Sequence, residues 1–438
     1  MKRLFAKIVD VKPEEIRALW LGFVFHFLIL AGYYITKPIR DSIGASNMEA
    51  LPWMFTATLV AMLVANAAFA ATVARMSRRK FIPLAYGFFI FVFGLFFIAM
   101  RTRPEAEQVW IGRGFFVWVS VFNLFNTAVF WAFMTDLFTV EQGKRLYGFI
   151  AVGGTLGAIL GAYITKHYVR DIGPANLLVI AAGMFVIAGF LVRFFPRGFA
   201  EEDKTAATAE APIGGSVWSG IAHICRSPYL MGLAASMVLY TTTSTWAYFQ
   251  QSELAGGVLK TSTARTEFFG SLEIWVNSIT VLIQIFLTGR LLKWFGVAFT
   301  LVALPFVSLV GFAAMGVAAS LALLAVFQVA RRAAAYALMR PSREILFTVL
   351  KREDKYKVKS VTDTLGYRTG DQLGSWSYRG LQHLGLALGT ISWIAVPVTA
   401  GWCVLSIWLG RKQRAMAEAQ ANRDQAQPLG DIPAAEPA

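Results

Sequence analysis

Cysteine and histidine are scarce in this chain, and their scarcity removes whole classes of chemistry. The two cysteines, Cys225 and Cys403, have no CxxC neighbour and form no cluster, so neither a disulfide framework nor a zinc site is supported. The four histidines, His26, His167, His223 and His383, are widely scattered, as packing or interfacial residues would be. No metal-ligand spacing, nucleophile elbow or phosphate-binding loop occurs, and the glycine-rich GGTLGAILG reads as a helix-packing stripe. No metal, no cofactor and no enzymatic activity are therefore expected.

Charge is scarce as well. Only 15% of the 438 residues are charged, against about a quarter in soluble proteins. Hydrophobic residues make up 56%, including 36 Phe and 13 Trp, and mean hydropathy is +0.55. Such a chain is dissolved in lipid and is not folded around one aqueous core, which points to an all-α, polytopic membrane protein. The formal charge of +15 suggests nucleic acid in a soluble protein. Here the basic residues concentrate in the loops of one side, so membrane orientation accounts for them and no nucleic-acid partner is expected.

Apolar runs of spanning length fall at about 16–36, 52–74, 81–100, 110–134, 147–168 and 174–195, then at 228–250, 268–288, 297–317, 319–339, 361–382 and 386–409. Twelve spans are expected, as two pseudo-symmetric six-helix halves at 1–196 and 227–412. The polar, Pro/Gly-bearing stretch 197–226 reads as a cytoplasmic linker, and the Ala/Gln/Pro-rich 413–438 as a disordered cytoplasmic tail. The basic start MKRLFAK precedes an apolar run of full spanning length with no A-x-A exit, so it reads as a retained first helix. Lys2, Arg3 and Lys7, the loop Arg75–Lys80, the pair Arg290 and Lys293, and Arg411–Arg414 share one side if the spans number twelve. Both termini are then cytoplasmic in a cell membrane, the bacterial inner membrane being the expected one.

The halves repeat one another. Lys144 is followed by Gly153, Gly157 and Gly161, and Lys357 by Gly366, Gly370 and Gly374 at the same intervals; the same shift carries Lys80 onto Lys293. Glycine at every fourth position clears one face of a helix for close approach by a neighbour. Parallel repeats about an axis along the membrane normal describe the major facilitator architecture, with spans five and eleven as equivalents.

The most informative segment is RPSREILFTVLKREDKYKVK (Arg340–Lys359) and the polar run after it. A charge at the centre of a spanning helix costs roughly 2.5–3.5 kcal/mol on insertion scales, so Asp363, Arg368, Asp371 and Arg379 must face protein or a water-filled path. The first span ends GYYITKPIRDSIG, with Lys37 and Arg40 three apart and Asp41 beside them. Span four ends at Asp136, followed by Glu141, Lys144 and Arg145; span eight carries Glu273 within reach of water, and Asn277 a turn on. Arg331 and Arg332 lie within span ten and need an acid, for which Glu344 or an acid of span eleven is the expected partner.

Cations outnumber acids in these segments. Arginine forks suit phosphate or carboxylate, so a small anionic substrate is expected. The candidate substrate contacts are Lys37, Arg40, Asp41, Arg331, Arg332, Lys357, Lys359 and Arg368. The candidate coupling or gating groups are Asp136, Glu141, Glu273, Glu344, Asp363, Asp371 and Arg379. A monomer in the lipid bilayer is favoured; a non-transporting assembly partner or sensor is the competing class, and the absence of any sizeable soluble domain in the sequence argues against it.

At these same residues the chain resembles the ATP/ADP antiporter family, the nucleotide transporters of plastids and intracellular bacteria. The resemblance is sharpest in KPIRDSIG, FWAFMTDLFTVEQGKRLYG and YALMRPSREILFTVLKREDKYKVKSVTD, where Pro341, Glu344, Lys355, Lys357, Lys359 and Asp363 match without a gap. It implies twelve helices, exchange of ATP and ADP, and substrate-handling charges on spans one, four to five, seven and ten to eleven. The first-span cation then falls on Arg40 and the late one on Lys357 or Lys359. In span seven TTSTWAYF departs from the pattern, with Thr243 in place of an acid and Ala247 in place of a Lys. An exporter of another phosphorylated or amphipathic metabolite is the alternative within transport.

Overall fold

The computed structural model describes residues 11–73, 78–196, 224, 227–350, 358–359 and 361–426, and every regular element among them is helical. Five helices come first: α1 (Ile16–Ser46), α2 (Leu51–Val73), α3 (Arg78–Thr102), α4 (Glu105–Leu137) and α5 (Val140–Leu191). The second set is α6 (Pro228–Val258), α7 (Ser262–Ile283), α8 (Gly289–Val317), α9 (Leu321–Ala334), α10 (Arg340–Leu346), α11 (Tyr367–His383) and α12 (Leu388–Ala426). Among the described residues eight helical stretches are long and apolar enough to cross a membrane.

Two of those stretches are too long for one crossing. The 52 residues of α5 would run roughly 78 Å as a straight helix, more than twice the ~30 Å hydrocarbon core. The helix breaks at Gly173, whose φ of 79° lies where a side chain clashes, and Pro174 follows. α8 breaks in the same way at Gly296, with φ 76°.

The glycine stripes do what their spacing implies. A Cβ on Gly153 would fall 2.5 Å from the carbonyl oxygen of Phe23, and Gly157 and Gly161 meet the carbonyls of Phe27 and Ala31 as closely. α5 thus lies backbone to backbone along α1. In the second set Gly370 and Gly374 meet the carbonyls of Val238 and Thr242, so α11 lies along α6. Gly366 is the exception: its nearest neighbour is Met237 at 3.8 Å. The α1/α5 group is filled by aromatic packing, Phe25, Phe93, Phe122, Phe130 and Phe185 among the fully buried rings. His26 belongs to that packing, stacked on Phe130 at 4.2 Å with its Nδ1 3.0 Å from the Ile150 carbonyl. Bulky apolar side chains such as Trp53, Phe91, Trp275 and Phe306 cover the outside.

The tail begins differently from expectation. α12 continues to Ala426, because its Ala, Glu, Gln and Arg residues favour helix. An Arg414–Glu418 pair supports it at i,i+4, and Gln420 donates to the Val349 carbonyl at 3.0 Å. Residues 427–438, and the linker 197–226 apart from Ile224, lie outside the described residues.

The two sets of helices meet at one end. Ser42 donates to the Ser262 carbonyl (3.2 Å), Arg265 to Ser42 (3.4 Å), Tyr248 to Asp41 (3.1 Å) and Thr56 to Gln372 (2.8 Å). Trp53 and Trp376 pack edge to face at 4.8 Å, and Arg170 pairs with Glu267 at 2.7 Å. Between described residues, every hydrogen bond joining the two sets lies in the half of the molecule that holds the C-terminal ends of α1 and α6. That end is closed; at the opposite one the ties between described residues, such as Glu15 to Arg145 and Glu344 to Lys359, lie within each set.

Candidate functional site

Beneath the closed end lies a cavity of about 310 Å³, walled by α1, α2 and α4 on one side and α6, α9 and α11 on the other. Its cations come from three places in the sequence. α1 contributes Lys37 and Arg40, α9 Arg331 and Arg332, and α11 Arg368. The π turn Ala335–Met339 between α9 and α10 re-phases the helix, so that Tyr336 joins Arg331 and Arg332 on the cavity wall. Such bulges recur at functional sites because they turn side chains that a regular helix would point elsewhere.

The cations are held in different ways. Arg40 forks onto Asp41 at 2.6 and 3.0 Å, with its guanidinium over the rings of Phe116 and Tyr248. Arg368 reaches Asp371 at 3.3 Å, and Thr245 donates to the same carboxylate at 3.3 Å. Glu273 is shared: Arg332 takes both its oxygens at 2.6 and 2.8 Å, and Lys37 takes one at 2.7 Å. Arg331, 3% exposed, donates to the Ser244 hydroxyl at 2.5 Å and meets no acid among the described residues. Its Nε has no hydrogen-bond partner among the described residues.

Two expectations change here. Glu273 is 1% exposed, so it is not near water; it sits behind the cavity wall because two cations compensate its burial. The acid that holds Arg332 is Glu273 and not Glu344 or an acid of α11, since α7 packs against α9 at that depth.

The structure gathers Lys37, Arg40, Asp41, Arg331, Arg332, Arg368 and Asp371 around one cavity, with Glu273 behind them. A second cavity of about 360 Å³ lies towards the end opposite the closed one, lined by Arg340, Arg343, Glu344 and Asp363 among others. Arg343 reaches Asp363 at 3.1 Å and Lys359 reaches Glu344 at 2.5 Å. Tyr240 and Tyr367 line both cavities and pack edge to face at 6.3 Å, forming the wall between them. Asp136 at the end of α4, Glu141 in an exposed pair with Lys144, and Arg379 beside Gln382 line neither cavity. Lys357 lies outside the described residues.

Thr243 and Ala247 also face away. Thr243 is buried and donates to the Leu239 carbonyl of its own helix; Ala247 is buried with its carbonyl accepting from Gln328. Their neighbours Ser244, Thr245 and Tyr248 reach the cavity, as do Tyr240 and Gln251 of the same helix. These, with Tyr33, Gln328, Tyr336 and Tyr367, were not singled out by charge. A tyrosine or serine in an apolar run is indistinguishable from packing until the helices are assembled.

The comparisons agree with this architecture. "ADP,ATP carrier protein 1" of Chlamydia pneumoniae is 22% identical over 346 residues, covering 68% of this chain and 66% of that one, just under two thirds. "ADP,ATP carrier protein 1" of Chlamydia muridarum is 19% identical, covering 91% and 88%. Among solved structures, a POT family transporter in complex with 5-aminolevulinic acid superposes with a TM-score of 0.62 at 11% identity, over 91% of this chain and 96% of that one. The sequence model of the Major Facilitator Superfamily matches residues 19–343. The chain therefore belongs to the Major Facilitator Superfamily of multi-pass membrane transporters.

Proposed function

We propose that the protein is a secondary transporter of organic anions working by alternating access, and that it exchanges nucleotides of the ATP/ADP type. The observation that carries the anion is Arg331, a buried arginine on the cavity wall with no acid partner among the described residues. Around it Lys37 and Arg332 share the single carboxylate of Glu273. The cavity thus holds more positive charge than its own acids offset, and a phosphate or carboxylate would supply the remainder. The rings of Phe55, Phe116 and Tyr248 at the same cavity suit a flat, apolar moiety, as a nucleobase provides. The names of the chlamydial relatives favour the same class of cargo.

In this reading the chain crosses the membrane twelve times. The eight apolar stretches give ten crossings once α5 and α8 are divided at Gly173 and Gly296, and the more polar α6 and α11 complete the set. The halves 1–196 and 227–412 rock about the cavity, with both termini in the cytoplasm of a cell whose inner membrane holds the monomer. Substrate enters the open end past Lys359, Glu344 and Asp363, and binds Lys37, Arg40, Arg331, Arg332 and Arg368 beneath the closed one.

The test is counterflow. Liposomes containing purified protein and preloaded with unlabelled ATP should accumulate labelled ADP, and omission of internal ATP should abolish the uptake. A folded protein that moves no nucleotide under these conditions rejects the cargo. Competition by phosphorylated metabolites or lipids in a second screen then identifies the alternative exported anion.

A further inference from the structure

The shared carboxylate of Glu273 links the cavity to the closed end. Lys37 stands on α1, whereas Glu273 stands on α7 and Arg332 on α9, so the Lys37–Glu273 pair crosses between the two sets of helices. The carboxylate sits behind the cavity wall while both cations also line the cavity. Arg332 holds Glu273 with two hydrogen bonds and Lys37 with one. An anion arriving in the cavity therefore meets Lys37 as the weaker partner: losing it leaves Glu273 still paired in bidentate fashion. The Arg40–Asp41 and Arg368–Asp371 pairs lie within one helix each, so their rupture does not part the two sets.

We propose that Glu273 is an internal counter-anion that takes the place of substrate when the cavity is empty. In that state it holds Lys37 and keeps the closed end shut. The incoming anion draws Lys37 into the cavity, the ion pair between α1 and α7 is released, the Ser42 hydrogen bonds to Ser262 and Arg265 no longer suffice to hold those helices, and the closed end opens. The device makes exchange obligatory, because an empty carrier remains tied. It rests on the reading of an anionic substrate, although the tie itself is independent of which anion is carried.

Thr266 provides the reporter. It is fully buried on α7 towards the closed end, and its hydroxyl has no hydrogen-bond partner among the described residues, so Thr266→Cys removes no hydrogen bond seen there. In a background with Cys225→Ser and Cys403→Ser, the labelling rate of that cysteine by a bulky hydrophilic maleimide in detergent reads opening of the closed end. Glu273→Gln should raise the rate at least tenfold without any ligand, and Lys37→Met, which cuts the same tie from α1, should do likewise. Lys37→Arg, which keeps the pair, should leave it within about twofold. Millimolar ATP should accelerate labelling in the parent and leave Lys37→Met unchanged. In liposomes Glu273→Gln should release loaded ATP without counter-substrate, bringing the ratio of exchange to net efflux close to one.

An unchanged rate in folded Glu273→Gln, or in Lys37→Met should the first variant fail to fold, overturns the proposal whatever ATP does. A raised rate in the variants with no response of the parent to ATP keeps the tie and rejects the nucleotide instead.

Discussion

Arg331 donates to the hydroxyl of Ser244 at 2.5 Å, across the cavity wall from α9 to α6. A serine hydroxyl orients a guanidinium but does not neutralise it, so the positive charge remains available to a ligand. Replacement by Gln keeps a donor and removes the charge. A hydrogen bond to a charged group contributes about 1.5–3 kcal/mol, so Arg331→Gln should raise the KM for counterflow by roughly 10- to 100-fold. Ser244→Ala should raise it by less than tenfold, since the arginine survives. Initial rates over a range of external ADP concentration measure both.

The tyrosine wall makes a second expectation. Tyr240 and Tyr367 separate the 310 Å³ and 360 Å³ cavities, and their rings meet edge to face at 74°. Loss of one ring merges the spaces, so an anion held in the first cavity would gain a path into the second. Such ring pairs contribute about 0.5–1.5 kcal/mol, so Tyr367→Ala should raise KM by roughly 3- to 10-fold, and Tyr367→Phe should restore it. A wild-type KM in Tyr367→Ala rules the wall out as a barrier.

How much of this site was readable beforehand depended on charge and depth. Arg331, Arg332, Lys37 and Arg40 stood out because each costs free energy in an apolar run. Arg379 stood out for the same reason, and Asp136 and Glu141 as charges at and just past the end of span four; all three lie near helix ends, and none lines either cavity. The Glu273 pairing joins residues far apart in sequence and depends on how α1, α7 and α9 come together, which no local pattern encodes. Packing was better legible than pairing: the stripe Gly153–Gly157–Gly161 implied a close backbone neighbour, and α1 is that neighbour.

That stripe sets a stability test. Gly157 faces the Phe27 carbonyl so closely that an added Cβ requires the helices to separate, and backbone cannot move aside as a side chain does. Overpacking of this kind costs about 1–3 kcal/mol or more. Gly157→Val should lower the apparent melting temperature of the purified protein by several degrees. Gly183→Ala, with nothing near its Cβ position, should leave it unchanged. Equal shifts in both variants would remove the stripe from the packing argument.

Glu15, outside the spanning segments, gives a pH dependence. It is fully buried, which alone pushes its carboxyl up. The Lys12 amide (2.9 Å), Arg145 (2.9 Å) and Gln142 (3.0 Å) outweigh that, and the group lies below the ordinary carboxylate range. A carboxyl depressed in the folded state adds stability above its unfolded pKa and loses it as pH falls through the folded value. Glu15→Gln should therefore cost about 1–2 kcal/mol near pH 7 and much less at pH 3. Melting curves of both proteins across that interval should converge at the acid end.

Ala247 decides whether the departure from the nucleotide-carrier pattern in α6 bears on cargo. A lysine there would not reach the cavity, because the Cβ of Ala247 is fully enclosed and the helix turns Ser244, Thr245 and Tyr248 inward instead. The ammonium would have to sit beside Gln328, whose side chain donates to the Ala247 carbonyl at 3.0 Å and can offer only its amide oxygen. An unpaired buried charge costs several kcal/mol. Ala247→Lys should thus destabilise the protein and leave its preference among nucleotides unchanged, whereas Thr245→Ala, beside Asp371, should alter that preference. Competition of ATP, ADP and GTP against labelled ADP in the two variants distinguishes these outcomes. A stable Ala247→Lys protein with tighter ATP binding would mean that α6 rotates to present this position to the cavity in the opposite state of the transport cycle.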